Sequence, residues 1–249
     1  DVFDGTLGAF NGPPVTLQLD PAVSPKFYKA RPVPYSLRDG VKNELDRLQK
    51  EDIIRPVQFS EWACPIVPVT KGDGSIRICG DYSLTANKAL AQDSYPLSRV
   101  EEIFSRLSGG KKFSKIDLSQ AYQQLLLTEE SRAVTTINTH KGLFQYNRLN
   151  YGLNQAPAIF QRTLDMLLQD CPKTCVYMDD IILTGSSDEE HLHNLHAVLM
   201  RLQNSGLKAK KDKCIFLAKS VEYLGHRIDA EGLHPTDEKV RAVLRAPAP

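Results

Sequence analysis

The sequence lacks long hydrophobic runs, paired cysteines and an excess of either charge. Each of these absences argues against one class of protein. None of its apolar stretches reaches the ~18 residues that a membrane-spanning helix needs. The chain also does not begin with a charged segment that is followed by an apolar one. The five cysteines are odd in number and contain no Cys-x-x-Cys pair. This pattern argues against a disulfide framework and a zinc ribbon, and it favours a reducing compartment.

Positive and negative side chains are almost balanced, with 31 Lys and Arg against 30 Asp and Glu. The overall field therefore does not indicate a polyanionic partner, and a nucleic-acid partner has to be argued from local features. A basic run at 208–213 could contact a phosphate backbone, but such a run is more often a solvated turn. Because the chain starts at Asp1 and stops at Pro249 within a predicted helix, we expect it to be part of a longer one.

The first part of the chain predicts an extended arm, a helix and a hairpin. Residues 1–34 are rich in proline and glycine, and they contain one alternating segment, 15–19, that is typical of a strand. Ser36 is the predicted N-cap of a helix whose apolar residues recur at helical spacing. Segments 64–69 and 75–79 predict a hairpin around an Asp-Gly turn.

The rest of the chain alternates strands with helices that carry recognisable start signals. Two β-prone runs flank Asp179-Asp180, which we predict to be a two-residue hairpin loop. This order predicts an α+β fold whose antiparallel sheet is covered by helices on one face. The predicted elements are strands at 113–118, 133–137, 142–148, 215–217 and 221–226, and helices begun by Ser98, Pro157, Ser187 and Thr236.

Three acidic residues carry the strongest chemical signal. Asp117 lies inside an apolar strand pattern, and Asp179 and Asp180 separate two β-prone runs. Each alone has an ordinary explanation, because Asp is common in turns and at caps. Asp-Asp without Gly suits a tight primed turn poorly, however, and adjacent like charges favour a cation partner. We interpret the three as ligands of two Mg²⁺ ions about 4 Å apart, with Mn²⁺ as the alternative.

The same residues lie in motifs that resemble a known family. Tyr177-Met178-Asp179-Asp180 resembles the Tyr-x-Asp-Asp box of reverse transcriptases, and segment 113–122 resembles the strand that carries their first catalytic aspartate. Further blocks follow the order of the Gypsy group of LTR retrotransposons, and the match runs from about residue 31 to the end. These blocks are 71–74, 77–82, Gly152, 156–161 and 223–226.

The resemblance implies a fold and a division of the chain. The implied fold is α+β and comprises the fingers and palm of a right-hand polymerase, the palm being an antiparallel ferredoxin-like sheet backed by helices. The implied regions are an extended N-terminal arm at 1–34, fingers at 35–92 and 125–156, palm at 93–124 and 157–234, and the start of a truncated thumb at 235–249.

The resemblance also implies a substrate pocket beside the metal ligands Asp117, Asp179 and Asp180. Arg77 would hold triphosphate oxygens through its planar donors, and Lys71 would assist it. Tyr122 would lie beneath the incoming sugar and leave no room for a 2′-hydroxyl. The implied residues that line the same pocket are Tyr151 and Gly152, and those that press the primer terminus towards the metals are Leu224, Gly225 and His226.

The implied activity is RNA-directed DNA synthesis, a nucleotidyl transfer that extends a primer 3′-hydroxyl by attack on the α-phosphate of a deoxynucleoside triphosphate. The implied partners are an RNA or DNA template with its primer, deoxynucleoside triphosphates, and other parts of a Pol polyprotein, namely the thumb and RNase H. No membrane partner is expected. The predicted location is the cytoplasm, within a virus-like particle, with the nucleus as the alternative.

Two other interpretations remain open. A domesticated or decayed copy would keep the fold as a non-catalytic nucleic-acid or protein-binding module, which the three intact acids disfavour. An RNA-templated RNA polymerase would carry a smaller or hydrogen-bonding residue in place of Tyr122. Separately, His191, His193 and His196 cluster at the start of a predicted helix, where an exposed polar face is a better explanation than a metal site.

Overall fold

The chain divides into two compact units, and each is built from separate stretches of sequence. The first unit comprises Asp1–Gly8, Pro96–Ser119 and Gln161–Pro249, and the second comprises Ala9–Tyr95 and Gln120–Phe160. The structure is a computed structural model. It describes residues 1–72, 74–91, 93, 95–96, 99–118, 120–236 and 241.

Helices and strands alternate along the described residues, as the sequence predicts. The helices are α1 (Arg38–Lys50), α2 (Ala86–Ala89), α3 (Val100–Leu107), α4 (Glu129–Val134), α5 (Ala156–Leu168) and α6 (Asp188–Asn204). The strands are β1 (Ile54–Val57), β2 (Cys64–Thr70), β3 (Ile76–Gly80), β4 (Lys112–Asp117), β5 (Ile137–Thr139), β6 (Gly142–Tyr146), β7 (Thr174–Tyr177), β8 (Asp180–Gly185), β9 (Ile215–Ala218), β10 (Ser220–Tyr223), β11 (His226–Asp229) and β12 (Gly232–Pro235). Short 3₁₀ segments lie at Tyr35–Leu37, Tyr82–Leu84, Ala121–Gln124 and Lys211–Lys213.

The first unit is built on a four-stranded antiparallel sheet in the order β7-β8-β4-β9. Successive residues of β4 face opposite sides of it. Phe113 is buried in a core with α3, β10 and β11, whereas the Ser114 hydroxyl lies 2.8 Å from Nε2 of His191 in α6. Both faces are therefore covered, and the prediction of cover on one face alone is wrong. Burial on both faces explains the continuous apolar run Ile181–Leu183.

The second unit contains a five-stranded sheet in the order β1-β6-β5-β2-β3, in which β2 and β5 pair parallel and the other neighbours pair antiparallel. Helix α1 packs on β1 and β3 and buries Val41, Leu45 and Leu48, the apolar stripe that indicated a helix here. The predicted hairpin at 64–69 and 75–79 is confirmed as β2 and β3, although Asp73 of its turn lies outside the described residues.

Three of the element predictions for the arm and second unit are wrong in detail. Ser36 lies within a 3₁₀ turn and does not cap α1. Segment 15–19 forms isolated bridges, Val15 with Leu127 and Leu19 with Leu90, and no regular strand. The predicted strand 133–137 holds the end of helix α4, a turn and only the first residue of β5. The two glutamates in the first turn of α4 favour a helix there, although the Thr128 side chain makes no capping hydrogen bond.

In the first unit, Pro157 in the first turn of α5 and Ser187 as N-cap of α6 are confirmed, the latter accepting the Glu190 N–H at 3.2 Å. The predicted strand 221–226 breaks after Tyr223, and β10, β11 and β12 form a separate three-stranded sheet. The capping box begun by Ser98 and the helix after Thr236 lie outside the described residues.

Candidate active site

The hairpin of β7 and β8 presents two of the three predicted metal ligands. Tyr177 pairs with Asp180, so the two-residue loop is Met178-Asp179 and the predicted loop Asp179-Asp180 is wrong by one residue. Met178 has a φ of 56°, the left-handed conformation that a tight hairpin requires at its first loop position and that favours glycine. Asp180 belongs to the strand because it also pairs with Asp117 across β4.

Strand register brings the three acids together. Asp117 and Asp180 stand directly opposite each other on β4 and β8, and the Leu118 N–H donates to the carbonyl of Asp179 at 3.2 Å. Asp117 and Asp180 are half-buried, whereas Asp179 is exposed at the loop. Three carboxylates that are far apart in sequence thus lie at one end of a single sheet.

Burial raises the pKa of Asp180 above its usual range, and the carboxylates of Asp179 and Asp117 raise it further. Lys115 opposes this shift, because its Nζ lies 2.9 Å from Oδ2 of Asp180. Lys213 forms an ion pair with Asp117, with Nζ 3.3 Å from Oδ2. Lys115 belongs to no predicted set of site residues, although strand alternation places residues 115 and 117 on one face of β4.

Gln161 is a second residue whose role the sequence analysis missed. Its side chain is fully buried in α5, and its amide group bridges the helix to the hairpin. Oε1 accepts the Met178 N–H at 2.7 Å, and Nε2 donates to the Val176 carbonyl at 3.0 Å and to the Asp165 carboxylate at 3.0 Å. The amide therefore fixes the strained residue that immediately precedes Asp179.

The acid cluster fits magnesium in its chemistry, since three carboxylates supply the hard oxygen ligands that this ion prefers. Its ligand atoms do not all lie within 4.8 Å of one another in the described structure. A different group does have its ligand atoms within 4.8 Å of one another, namely Asp229, Glu231 and His234 of the β11–β12 hairpin. Asp229 is already paired, however, with Arg227 at 3.4 Å and with His234 at 3.0 Å. That group is best explained as a surface ion-pair network.

The histidines at the start of α6 do not form one exposed face. His193 and His196 are exposed as predicted, but His191 is fully buried and the prediction is wrong for it. Its Nε2 contacts Ser114, whose hydroxyl accepts the Leu217 N–H at 3.1 Å, and burial lowers the pKa of His191. His191 therefore belongs to the packing of α6 on the sheet.

In the second unit, three of the predicted substrate residues are in contact. The rings of Tyr122 and Tyr151 have centroids 4.9 Å apart, and the Tyr122 ring meets Phe160 edge-on at 5.4 Å. The guanidinium of Arg77, on β3, lies 6.0 Å from the Tyr151 ring centre. We call Arg77, Tyr122, Tyr151 and Phe160 the aromatic cluster.

Gly152 follows this cluster directly and has a φ of 98°. A Cβ atom there would come 3.2 Å from the Gly80 carbonyl oxygen, so only glycine fits without strain. The Asn87 side-chain amide donates to the Gly152 carbonyl at 2.8 Å. Lys71 is exposed in the β2–β3 loop, and none of the contacts described for the second unit joins it to the aromatic cluster.

The predicted primer-contacting residues form a tight turn in the first unit. Leu224 and Gly225 connect β10 to β11 with φ values of 50° and 71°, the pattern of a type I′ hairpin loop. His226 opens β11, and its ring meets Phe104 edge-on at 5.3 Å. The Gly225 carbonyl accepts the Thr236 N–H at 3.3 Å, which ties the turn to the segment after β12.

A sequence profile described as reverse transcriptase (RNA-dependent DNA polymerase) matches residues 69–228. The chain therefore belongs to the reverse transcriptase family. It is 33% identical to the retrovirus-related Pol polyprotein from transposon 297 of Drosophila melanogaster over 232 residues, 91% of this chain and 22% of that protein. It is 32% identical to the Pol polyprotein from transposon gypsy of the same organism over 233 residues, which is 90% of this chain and 22% of that protein. These relatives confirm the Gypsy-type resemblance.

Solved structures confirm the α+β fold class. The foamy viral protease-reverse transcriptase in complex with an RNA/DNA hybrid is similar with a TM-score of 0.87 and 25% identity over 100% of this chain and 34% of that one. A second foamy viral protease-reverse transcriptase structure, in complex with double-stranded DNA, is similar with a TM-score of 0.85 and 26% identity over 98% of this chain and 43% of that one. The chain spans about a fifth of the length of the curated relatives above.

Proposed function

We propose that this chain is the polymerase part of a Gypsy-type Pol polyprotein and that it extends a primer 3′-hydroxyl with deoxynucleoside triphosphates on an RNA or DNA template. The observation that carries the proposal is the meeting of Asp117, Asp179 and Asp180 at one end of the first-unit sheet. The similar Pol polyproteins, and similar structures that hold an RNA/DNA hybrid or double-stranded DNA, support it. Fingers at 35–92 and 125–156 and a palm at 93–124 and 157–234 belong to the same proposal.

Asp117 and Asp179 are the proposed ligands of two Mg²⁺ ions, and Asp180 completes the cluster. When bound, such a pair of ions activates the attacking hydroxyl and stabilises the leaving oxygen. The chain's own contribution is to hold the carboxylates at fixed backbone positions, through the β4–β8 register and the hydrogen bond from Met178 to Gln161. Fixed charges of this kind need little rearrangement during the reaction.

The aromatic cluster of the second unit is the proposed site of the incoming nucleotide. Arg77 is exposed and presents planar donors suited to triphosphate oxygens, with Lys71 assisting. The Tyr122 ring, packed against Tyr151, is a rigid surface for the sugar and excludes a 2′-hydroxyl. Gly152 lets the backbone approach closely, because a side chain there would meet Gly80.

The turn Leu224-Gly225 and His226 are the proposed contact with the primer terminus. Left-handed backbone conformations and the hydrogen bond from Thr236 fix the turn, while Phe104 packs against the His226 ring. A rigid turn suits the positioning of one end of a nucleic acid. The thumb and RNase H are the proposed neighbours in the polyprotein, because the curated relatives are about five times longer than this chain.

Primer extension by Asp179→Asn tests the proposal. On a primed RNA template with Mg²⁺, we expect the wild-type chain to incorporate deoxynucleotides and the variant to lose extension by on the order of 10³-fold or more. Folding should be retained, since Asp179 is exposed in the loop. Asp170→Asn, which removes another exposed carboxylate of the first unit, is the matched control and should extend normally.

The outcomes separate the rival functions. Near-normal extension by Asp179→Asn would remove this residue from the reaction. A folded wild-type chain that binds a primed template but incorporates nothing with Mg²⁺ or Mn²⁺ would favour a non-catalytic binding module. Equal incorporation of ribonucleotides and deoxynucleotides would favour an RNA polymerase and contradict the role proposed for Tyr122.

A further inference from the structure

Lys115 lies beside Asp180 in the acid cluster, and its ammonium group has two partners. Its Nζ is 2.9 Å from Oδ2 of Asp180 and 5.7 Å from the centre of the Tyr223 ring. The lysine and aspartate side chains are only 23% and 27% exposed, so water screens the pair weakly. Tyr223 is itself buried, and its hydroxyl donates to the Asp180 carbonyl at 3.4 Å. Lys115 is therefore built into the site.

The strand register makes a cation necessary here. Asp117 and Asp180 stand directly opposite each other, and like charges in that position destabilise an antiparallel pair. Asp179, which immediately precedes Asp180, adds a third negative charge. Lys115 comes two residues before Asp117 on the same strand face, so the sheet itself delivers an ammonium group to the acids. Without it, Asp180 would be a half-buried carboxylate among like charges.

Lys213 provides an internal comparison. Its Nζ lies 3.3 Å from Oδ2 of Asp117, but its side chain is 58% exposed and extends from the 3₁₀ turn Lys211–Lys213. An exposed ion pair of this kind is screened by water and contributes little to stability. The two lysines thus neutralise different carboxylates to different extents.

We propose that Lys115 is a resident counter-ion of the acid cluster, which neutralises Asp180 before metal binding and sets how tightly the site takes up divalent cations. The inference rests on the proposed function, because it assumes that the acids bind metal. Lys115 is a positioning residue and touches no substrate. An incoming cation and the ammonium group attract the same carboxylate oxygens, so a lysine that stabilises the metal-free protein must weaken metal binding.

Two opposite effects of one substitution follow from this role. Lys115→Met keeps most of the aliphatic part of the side chain but removes the ammonium group, and with it the ion pair to Asp180 and the contact with the Tyr223 ring. Metal-free Lys115→Met should therefore unfold at a lower temperature than the wild type. The same variant should bind Mn²⁺ about tenfold more tightly, the effect of one unit charge several ångströms away at a partly exposed site. A residue that only packs would lower stability without tightening metal binding.

The experiment measures Mn²⁺ binding by calorimetry and, without metal, the thermal unfolding midpoint. Lys115→Arg, which keeps the charge, should resemble the wild type, and Lys213→Met should show both effects more weakly. In an Asp180→Asn background, Lys115→Met should no longer lower the unfolding midpoint, because the carboxylate that it neutralises is gone. If Lys115→Met does not fold, Lys115→Gln retains a donor for Asp180 without the charge and replaces it in the comparison.

Unchanged or weaker Mn²⁺ binding by the uncharged variant would overturn the inference, as would an equal loss of stability in the Asp180→Asn background. Either result leaves the proposed function standing if the wild type binds Mn²⁺ and extends primers. A wild-type chain that takes up no Mn²⁺ would overturn both proposals, and the two failures are thereby distinguished.

Discussion

The acid cluster of the first unit and the aromatic cluster of the second are held in different ways. Asp117 and Asp180 owe their positions to strand register, and Met178, next to Asp179, is fixed by a buried amide. The contacts that join Arg77, Tyr122 and their neighbours into the aromatic cluster are between side chains, at distances of 4.9 to 6.0 Å from ring centres. The carboxylates are thus positioned by the backbone, whereas the rings of the proposed nucleotide site are joined through side-chain packing.

The largest expected effect tests how the hairpin of the acid cluster is held. Gln161→Leu leaves the Met178 N–H and the Val176 carbonyl without their buried partner, at a cost of about 2–4 kcal/mol in the free energy of unfolding. Primer extension should fall as well, because the loop that carries Asp179 loses its support. Chemical denaturation measures the first effect. Asp165→Asn, which keeps an acceptor for Gln161, is the control and should cost much less.

A smaller effect, on selectivity, is expected in the aromatic cluster. Tyr122→Ala removes the ring that packs on Tyr151 and Phe160, so discrimination against ribonucleotides should fall on the order of 10–100-fold. Tyr122→Phe keeps the ring and should keep the discrimination. Competing incorporation of ribonucleotides and deoxynucleotides measures the ratio. An unchanged ratio in the alanine variant would contradict the sugar-excluding role.

Arg77→Ala should act on nucleotide binding with little effect on the fold. The side chain is exposed, and its loss removes charge-assisted hydrogen bonds to the triphosphate, so we expect the KM for deoxynucleotides to rise about tenfold. Arg77→Lys should recover part of the loss, because a lysine keeps the charge without the planar donors. Steady-state kinetics separate KM from kcat. A fall in kcat alone would place Arg77 elsewhere in the reaction.

The smallest expected effect is at Gly72, in the β2–β3 loop. Nothing lies within 4 Å of the Cβ that Gly72→Ala would add, so the free energy of unfolding should change by no more than about 0.5 kcal/mol. Gly152→Ala, beside the aromatic cluster, forces a left-handed alanine and should cost about 1–2 kcal/mol. Thermal unfolding of the two variants measures the loss of stability in each. Equal losses would mean that the backbone at Gly152 is not constrained.

Sequence reasoning worked where the signal was local and failed where distant contacts decided the outcome. Pro157 and Ser187 mark helix starts through their own backbone chemistry, and both predictions are confirmed. The place of Asp180 depends on pairing with Tyr177 and with Asp117, which no local pattern reveals. His191 is buried because Ser114 offers it a partner from a strand 77 residues away in sequence.

Lys115 and Gln161 differ in how far they could have been anticipated. Alternation along β4 already places Lys115 on the face of Asp117, so its position beside the acids was available from the pattern, whereas its contact with Asp180 depends on the β4–β8 register. Gln161 acts through the backbone of the β7–β8 loop, and that contact exists only after helix and hairpin have packed. Its position in a family motif gave no indication of which atoms it binds.

The loops of the β2–β3 and β7–β8 hairpins differ in length, and this difference has a consequence for engineering. The β2–β3 connection spans residues 71–75, of which 71, 72, 74 and 75 are exposed, and lengthening such a loop adds little to its closure entropy. A reporter peptide inserted after Gly72 should therefore leave the host protein folded. The Met178-Asp179 connection has no such room, because one added residue would shift the strand register and turn alternate side chains to the opposite face.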